Sequence, residues 1–353
     1  MINVAVLGYG TVGSGVVELL FKNNRLFASK TGQPVAVKYI LDIRSFPGDR
    51  YESLLVRDIE TVLRDPEINV VVETIGGAGV AYEFTRRALQ AGKNVVTSNK
   101  ELVNEKGPEL LALARENGVR YLFEASVGGG IPVILPMMSG LGANEIHRIV
   151  GILNGTTNYI LTKMKNDGMS FEDALGRAQQ FGYAEANPSA DIDGLDTCRK
   201  LCILASLSFG KYVHADRVRP EGIRGVTPEL MTLAEQQGYR IKLIGSAQRL
   251  PDGIVEMFVG PAAVPASHPL ANIEDVFNGI LVSGDATGDV LFYGKGAGKM
   301  PTASAVCSDI IECSKPLCES ILWDVTDNDF VRSPAPGRFE YLEGTNIPIV
   351  MSI

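Results

Sequence analysis

The chain has 353 residues, 45% hydrophobic and 21% charged, with 38 glycines and 18 prolines. At this length about two globular domains are expected, and the apolar content excludes a disordered chain. The formal net charge of −8, with no basic run, excludes a dedicated nucleic-acid binder. The opening MINVAVLGYG lacks the layout of a secretory signal, and no apolar window is long enough to span a membrane. Cysteines 198, 202, 307, 313 and 318 form no CxxC and no paired Cys/His spacing, so they read as reduced thiols of a cytoplasmic protein. Histidines 147, 214 and 268 have no zinc-type partner nearby, which argues against a zinc enzyme or a Ser-His-Asp hydrolase.

Residues 3–7 (NVAVL) read as a buried strand and 11–22 as a helix. Strands follow at 35–41, 70–74, 94–97 and 120–123, with amphipathic helices at 81–91 and 107–117. This alternation predicts an α/β fold with a doubly wound parallel sheet. The VGGGIP segment at 127–132 suits a domain joint. Beyond it the patterns predict a strand at 146–153 and helices at 158–165, 171–181 and 194–209. Strands at 241–249, 254–259, 279–283 and 289–292 suit a mixed sheet, and 302–313 is helical. The expected organisation is a dinucleotide-binding domain over 1–130 with 302–330, an α+β substrate and dimerisation domain over 131–301, and a short irregular tail over 331–353.

Gly8-Tyr9-Gly10-Thr11-Val12-Gly13 follows the first strand and opens the first helix, the context of a Rossmann-type dinucleotide site. Gly8 permits the tight turn, Gly10 lets backbone approach a pyrophosphate, and Gly13 lets helix and strand pack closely. Thr11 and Val12 begin a helix whose N–H groups face the phosphates. Asp42 ends the second strand, 29 residues after Gly13 where about 20 is usual. An acid there favours NAD through the ribose hydroxyl, whereas Arg44 favours NADP through a 2′-phosphate; the sequence leaves both open. Thr74-Ile75-Gly76 and Thr97-Ser98-Asn99-Lys100 close two further strands and suit contact with ribose and nicotinamide. Lys100 reads either as a group facing the reacting centre or as a solvated surface lysine.

In the second half, Glu185, Asp191, Asp193 and Asp196 crowd the start of an apolar helix, with Lys200 four residues after Asp196. That spacing puts both side chains on one helix face, as a surface ion pair or as part of a pocket for an ammonium group. Alcohol oxidation needs a group that takes a proton from oxygen while hydride leaves carbon, and a desolvated lysine can do so. The loops at 151–158 (GILNGTTN) and 294–298 (GKGAG) add small polar and glycine-rich turns before helices.

GYGTVGSGV at 8–16, TSNK at 97–100, EASVGGGIP at 124–132, GILNGTTNYIL at 151–161, GYAEANPSADIDGLDTCRK at 182–200 and GKGAGKMPTASAV at 294–306 together resemble homoserine dehydrogenase. The resemblance implies NAD(P)-dependent interconversion of L-homoserine and L-aspartate 4-semialdehyde, on the route to threonine and methionine. It implies Lys200 as the proton donor and acceptor, with Lys100 as a second active-site lysine. Glu185, Asp191, Asp196, Thr156, Gly155 and Tyr183 would serve the substrate, and Gly182 and Gly298 the cofactor. Glu124 with the backbone carbonyls of Val127, Gly129 and Ile131 would hold a structural sodium ion. A homodimer or homotetramer is implied. Asn187 replaces an acid common in this loop of the family, and the segment after Lys315 is expected to be too short for a C-terminal regulatory domain. Two rival readings are a related dehydrogenase for another small amino or hydroxy acid, and a non-catalytic dinucleotide sensor, which would not need the Asp196/Lys200 pair.

Overall fold

A computed structural model describes residues 1–316, 323–325, 329–334 and 338–349. Cys318 and parts of the 302–330 and 331–353 segments lie outside the described residues. Contacts divide the chain into two compact units, one of residues 1–134 with 297–324 and one of 135–296 with 325–353.

The first unit opens with β1 (Ile2–Leu7), α1 (Thr11–Lys22), α2 (Asn24–Thr31), β2 (Val35–Leu41), β3 (Leu55–Val56) and α3 (Ile59–Leu63). It continues with β4 (Ile68–Glu73), α4 (Gly79–Gln90), β5 (Asn94–Thr97), α5 (Lys100–Glu116) and β6 (Tyr121–Leu122). The six strands are all parallel in the order β3-β2-β1-β4-β5-β6, the doubly wound Rossmann arrangement. Strands covered on both faces need continuous apolar runs, and INVAVL in β1 and INVVVE in β4 supply them. The short helix α2 was not expected; only Phe27 of it is buried, so apolar periodicity gives it little signal. The 107–117 helix in fact begins at Lys100, capped by the Asn99 side chain, and runs through Pro108.

The second unit contains β7 (Ile146–Ile152), α6 (Gly155–Asp167), α7 (Phe171–Gln180), α8 (Ser189–Ile192), α9 (Leu195–Phe209), α10 (Pro228–Gln236), β8 (Tyr239–Arg249), β9 (Val255–Pro265), β10 (Phe277–Gly284) and β11 (Gly288–Lys295). Its mixed sheet runs β11-β10-β7-β8-β9, antiparallel at every one of these pairings. A helix that is apolar nearly all round belongs in a core. LDTCRKLCILASLSF in α9 is such a sequence, so Asp196 and Lys200 are carried into the interior with it. The helix lies close on β8 because Gly245 leaves room: a Cβ there would sit 3.2 Å from the Thr197 Cγ2.

The chain then supplies α11 (Lys299–Glu312) to the first unit, where it packs on α1 at Gly15 and Ala303. The last segment, read as irregular from its sequence, contains β12 (Val331–Arg332), β13 (Glu340–Tyr341) and β14 (Pro348–Ile349). β12 and β14 pair in parallel along β9. Leu342 and Ile349 enter the core beneath, and Arg332 and Arg338 pair with the buried Glu256.

Candidate active site

In the first unit β1 delivers Gly8 with φ +92°, a left-handed conformation that favours glycine. A Cβ on Gly13 would lie 1.9 Å from the Gly8 carbonyl oxygen, so only glycine lets α1 start this close to the strand. Thr74 locks the turn by donating to the carbonyls of Leu7 at 3.0 Å and Gly8 at 2.9 Å. Gly10 faces open space and caps α1 without a side-chain hydrogen bond. Thr11 and Val12 open that helix, whose first N–H groups suit an anionic ligand.

Asp42 is buried at the end of β2. Its carboxylate accepts from the Tyr9 N–H at 2.7 Å, the Arg44 N–H at 2.9 Å, and Arg44 Nε and Nη2 at 3.0 and 2.8 Å. The Arg44 guanidinium, helped by those N–H groups, holds the Asp42 carboxyl well below the usual carboxylate range. Arg44 itself is solvent-accessible and lies over the Phe46 ring at 5.1 Å, and Arg57 donates to the neighbouring Ser45 hydroxyl.

Sequence reasoning missed Glu73, the last residue of β4, which is fully buried. It accepts from the N–H groups of Ile75 at 2.7 Å and Gly76 at 3.4 Å and from the Thr97 hydroxyl at 2.6 Å, tying together the ends of β4 and β5. Burial pushes its carboxyl upward against those donors. An acid closing an apolar strand was the available signal. Asn99 donates to the Gly77 carbonyl at 2.7 Å and caps α5, which starts at Lys100; Ser98 and Lys100 are half-buried.

Further along the first unit, the buried Glu124 carboxylate accepts from the N–H groups of Val133 at 2.6 Å and Ile134 at 2.9 Å. Val127, Gly129 and Ile131 are buried in the loop between. Gly298 is exposed and caps α11.

In the second unit a buried polar cluster forms where β7 meets α9. Lys200 Nζ donates to Asp196 Oδ2 at 2.7 Å and to the Leu153 carbonyl at 2.9 Å. Asn154 Nδ2 donates to Asp191 Oδ1 at 2.7 Å and to Asp196 Oδ2 at 2.8 Å. Burial, and then the charge of Asp196, push the Asp191 carboxyl above its ordinary value. Gly155 opens α6 against the Val276 carbonyl, and Thr156 donates to the Tyr183 carbonyl at 2.6 Å. The Asp196/Lys200 pair is thus interior and not a surface pair, joined by Asp191 and by Asn154, which the sequence reading did not single out. The cluster does not include Glu185: it is exposed, as is Gly182, and its backbone carbonyl accepts from Gln179. Tyr183 is 44% exposed, and its ring packs against that of Tyr159.

The family model described as homoserine dehydrogenase matches residues 132–311, and that of the homoserine dehydrogenase NAD-binding domain matches 8–124. The homoserine dehydrogenase of Bacillus subtilis is 42% identical over 334 residues, covering 94% of this chain and 76% of that protein. That of Synechocystis sp. is 45% identical over 318 residues, 88% of this chain and 72% of its own. Among solved structures, a homoserine dehydrogenase from Thiobacillus denitrificans matches with a TM-score of 0.84 at 42% identity, over 89% of this chain and 73% of that one. A hyperthermophilic archaeal homoserine dehydrogenase in complex with NADPH matches with a TM-score of 0.73 at 28% identity, over 89% of this chain and 97% of that one.

Proposed function

The chain belongs to the homoserine dehydrogenase family, and we propose that Lys200 moves the proton while the surrounding carboxylates hold the substrate. The reaction is the NAD(P)-dependent interconversion of L-homoserine and L-aspartate 4-semialdehyde. One observation carries the assignment of roles: a lysine buried on a core helix, its Nζ pinned by Asp196 and the Leu153 carbonyl. An ammonium has three N–H donors, and these two contacts leave the third for a substrate oxygen. In the reducing direction Lys200 gives its proton to the oxygen as the carbonyl is reduced; in oxidation the neutral amine takes it back. Asp196 and Asp191 carry the negative charge that suits the substrate ammonium, with Gly155, Thr156 and Tyr183 assigned to the substrate beside them and Glu185 assigned to it from its exposed loop. Lys100 is assigned as the second lysine that polarises the reacting oxygen.

The nicotinamide dinucleotide, when bound, supplies hydride acceptance and donation. Its pyrophosphate fits Gly8, Gly10, Thr11, Val12 and Gly13, where the open face at Gly10 and the uncapped start of α1 offer N–H groups to an anion. Thr74, Ile75, Gly76, Ser98 and Asn99 form the adjoining strand ends, and Gly182 and Gly298 are assigned to the cofactor with them. Because the Asp42 carboxylate is already occupied by Tyr9 and Arg44 while the guanidinium is accessible, NADP is the preferred dinucleotide over NAD. Glu124 with the carbonyls of Val127, Gly129 and Ile131 is a chemically suitable oxygen set for a structural sodium ion: those three carbonyls accept no hydrogen bond from the described residues. A cytoplasmic homodimer or homotetramer completes the proposal. It fits the reduced state of Cys198, Cys202, Cys307 and Cys313, and light scattering measures the assembly. No helix among the described residues is long and apolar enough to cross a membrane. Steady-state oxidation of L-homoserine with NADP and NAD in separate assays tests the reading; a higher kcat/KM with NAD overturns the cofactor assignment.

A further inference from the structure

We propose that Asn154 is a positioning residue for homoserine oxidation, its side-chain amide being the shared donor that holds Asp191 and Asp196 together and so fixes Lys200. The inference rests on the reading of Lys200 as the proton-moving group.

Two carboxylates within reach of one another repel, and a buried pair stays ionised only if donors or cations face it. Here one nitrogen serves both, at 2.7 Å from Asp191 Oδ1 and 2.8 Å from Asp196 Oδ2. The same Asp196 Oδ2 receives Lys200 Nζ at 2.7 Å. The amide cannot turn away from this task. Its oxygen accepts from the Thr157 N–H at 2.8 Å and the Thr157 hydroxyl at 3.0 Å, capping α6, which points the NH2 group at the acids. The residue before it, Leu153, supplies the carbonyl that takes the other Lys200 donor. A single strand end therefore sets both contacts of the lysine, one directly and one through Asp196. The charged groups facing Asn154 are Asp191 on α8 and Asp196 and Lys200 on α9; Thr156 and Thr157 on its own helix are neutral.

The two duties of Asn154 call for different chemistry, which makes them separable. Capping needs only a small acceptor, and Ser and Asp cap as well as Asn does. Bridging two carboxylates needs an NH2 donor, which neither can supply. Asn154→Ser is thus expected to keep the cap, the fold and NADPH binding with a modestly lowered Tm, and Asn154→Asp, which adds a third acid beside Asp191 and Asp196, to lower Tm further while still folding and binding NADPH. In both variants kcat for L-homoserine oxidation falls about 10- to 100-fold, the factor expected when a charge-assisted hydrogen bond in a buried site is lost. In Asn154→Asp the added carboxylate also stabilises the lysine ammonium, so the acidic limb of the kcat/KM profile moves to higher pH.

Variants that keep kcat within about twofold of wild type, with the acidic limb unmoved, overturn the proposal. So does a loss of activity that merely parallels a loss of folding in both variants, since a capping role alone would then account for it. Lys200→Ala, assayed alongside, separates the two levels. If it retains turnover, the reading of Lys200 fails; if it is inactive while both Asn154 variants are unimpaired, only the role of Asn154 fails.

Discussion

Arg44 gives the sharpest account of cofactor choice. Replacing it with Ala removes an exposed guanidinium whose present contacts are the Asp42 carboxylate at 2.8 Å and the Phe46 ring at 5.1 Å. Pairs with one partner this accessible contribute little to folding, so Tm is expected to change by no more than about 2 °C. Binding is another matter. A guanidinium on a 2′-phosphate makes charge-assisted, often bidentate hydrogen bonds, and losing them weakens NADPH about 10- to 100-fold. NADH has no such phosphate and is expected to change by less than about threefold. The Asp42 carboxylate, released from Arg44, keeps only the Tyr9 N–H from the glycine-rich turn and the backbone N–H of residue 44, which leaves it free to accept a ribose hydroxyl. The preference between the two dinucleotides therefore narrows or reverses. Dissociation constants for NADPH and NADH, measured by nicotinamide fluorescence on wild type and variant, read this directly. Equal losses for both dinucleotides, or an unchanged NADPH constant, would refute the assignment of Arg44.

Other outcomes follow from the same geometry. Gly13→Ala places a Cβ 1.9 Å from the Gly8 carbonyl oxygen and 2.7 Å from Thr74 Oγ1; it should cost about 1–3 kcal/mol of stability and abolish dinucleotide binding, and an unaltered NADPH constant would contradict that. Lys242 is buried, donates to Asn158 at 3.2 Å and to the Ile273 carbonyl at 2.6 Å, and burial lowers its ammonium to about 8. A lowered lysine penalises the folded state below that pH and releases the penalty as the pH rises toward the unfolded value, a term on the order of 3 kcal/mol. Any stability advantage of Lys242→Met over wild type should therefore shrink between pH 8 and 10.5, and a constant difference in Tm across that window would show the reasoning wrong. Exchanging sodium for choline at fixed ionic strength should lower the Tm of wild type but not of Glu124→Gln; identical melts of wild type in both salts would remove the ion from Glu124.

The first half of the fold was legible because local and global signals agree there. β1, α1, β2 and β5 are apolar runs or amphipathic turns broken by glycine, and a parallel sheet demands that pattern. The expected start of α5 at Gly107 falls too late, because the Asn99 cap lies eight residues before it and the helix runs on through Pro108. The helix over Pro228–Gln236, absent from the expected elements, carries a readable start signal in the Thr227 cap followed by proline. β12, β13 and β14 are two residues each and exist because β9 offers an edge to β12 and β14, and β14 in turn to β13, so no local pattern could reveal them. In the candidate site the Asp196 and Lys200 spacing was readable, but its meaning depends on burial, which follows from the apolar length of α9. Asn154 and Glu73 act through partners far along the chain, Asp191, Asp196 and Thr97, and only tertiary proximity discloses their part.

Turnover of Lys200→Ala, measured together with its NADPH dissociation constant, bears most directly on the proton-transfer role. The account predicts a fall in kcat of about 10²- to 10⁴-fold in both directions of the reaction with dinucleotide affinity intact. Reduction of aspartate semialdehyde at the wild-type rate by that variant would contradict it.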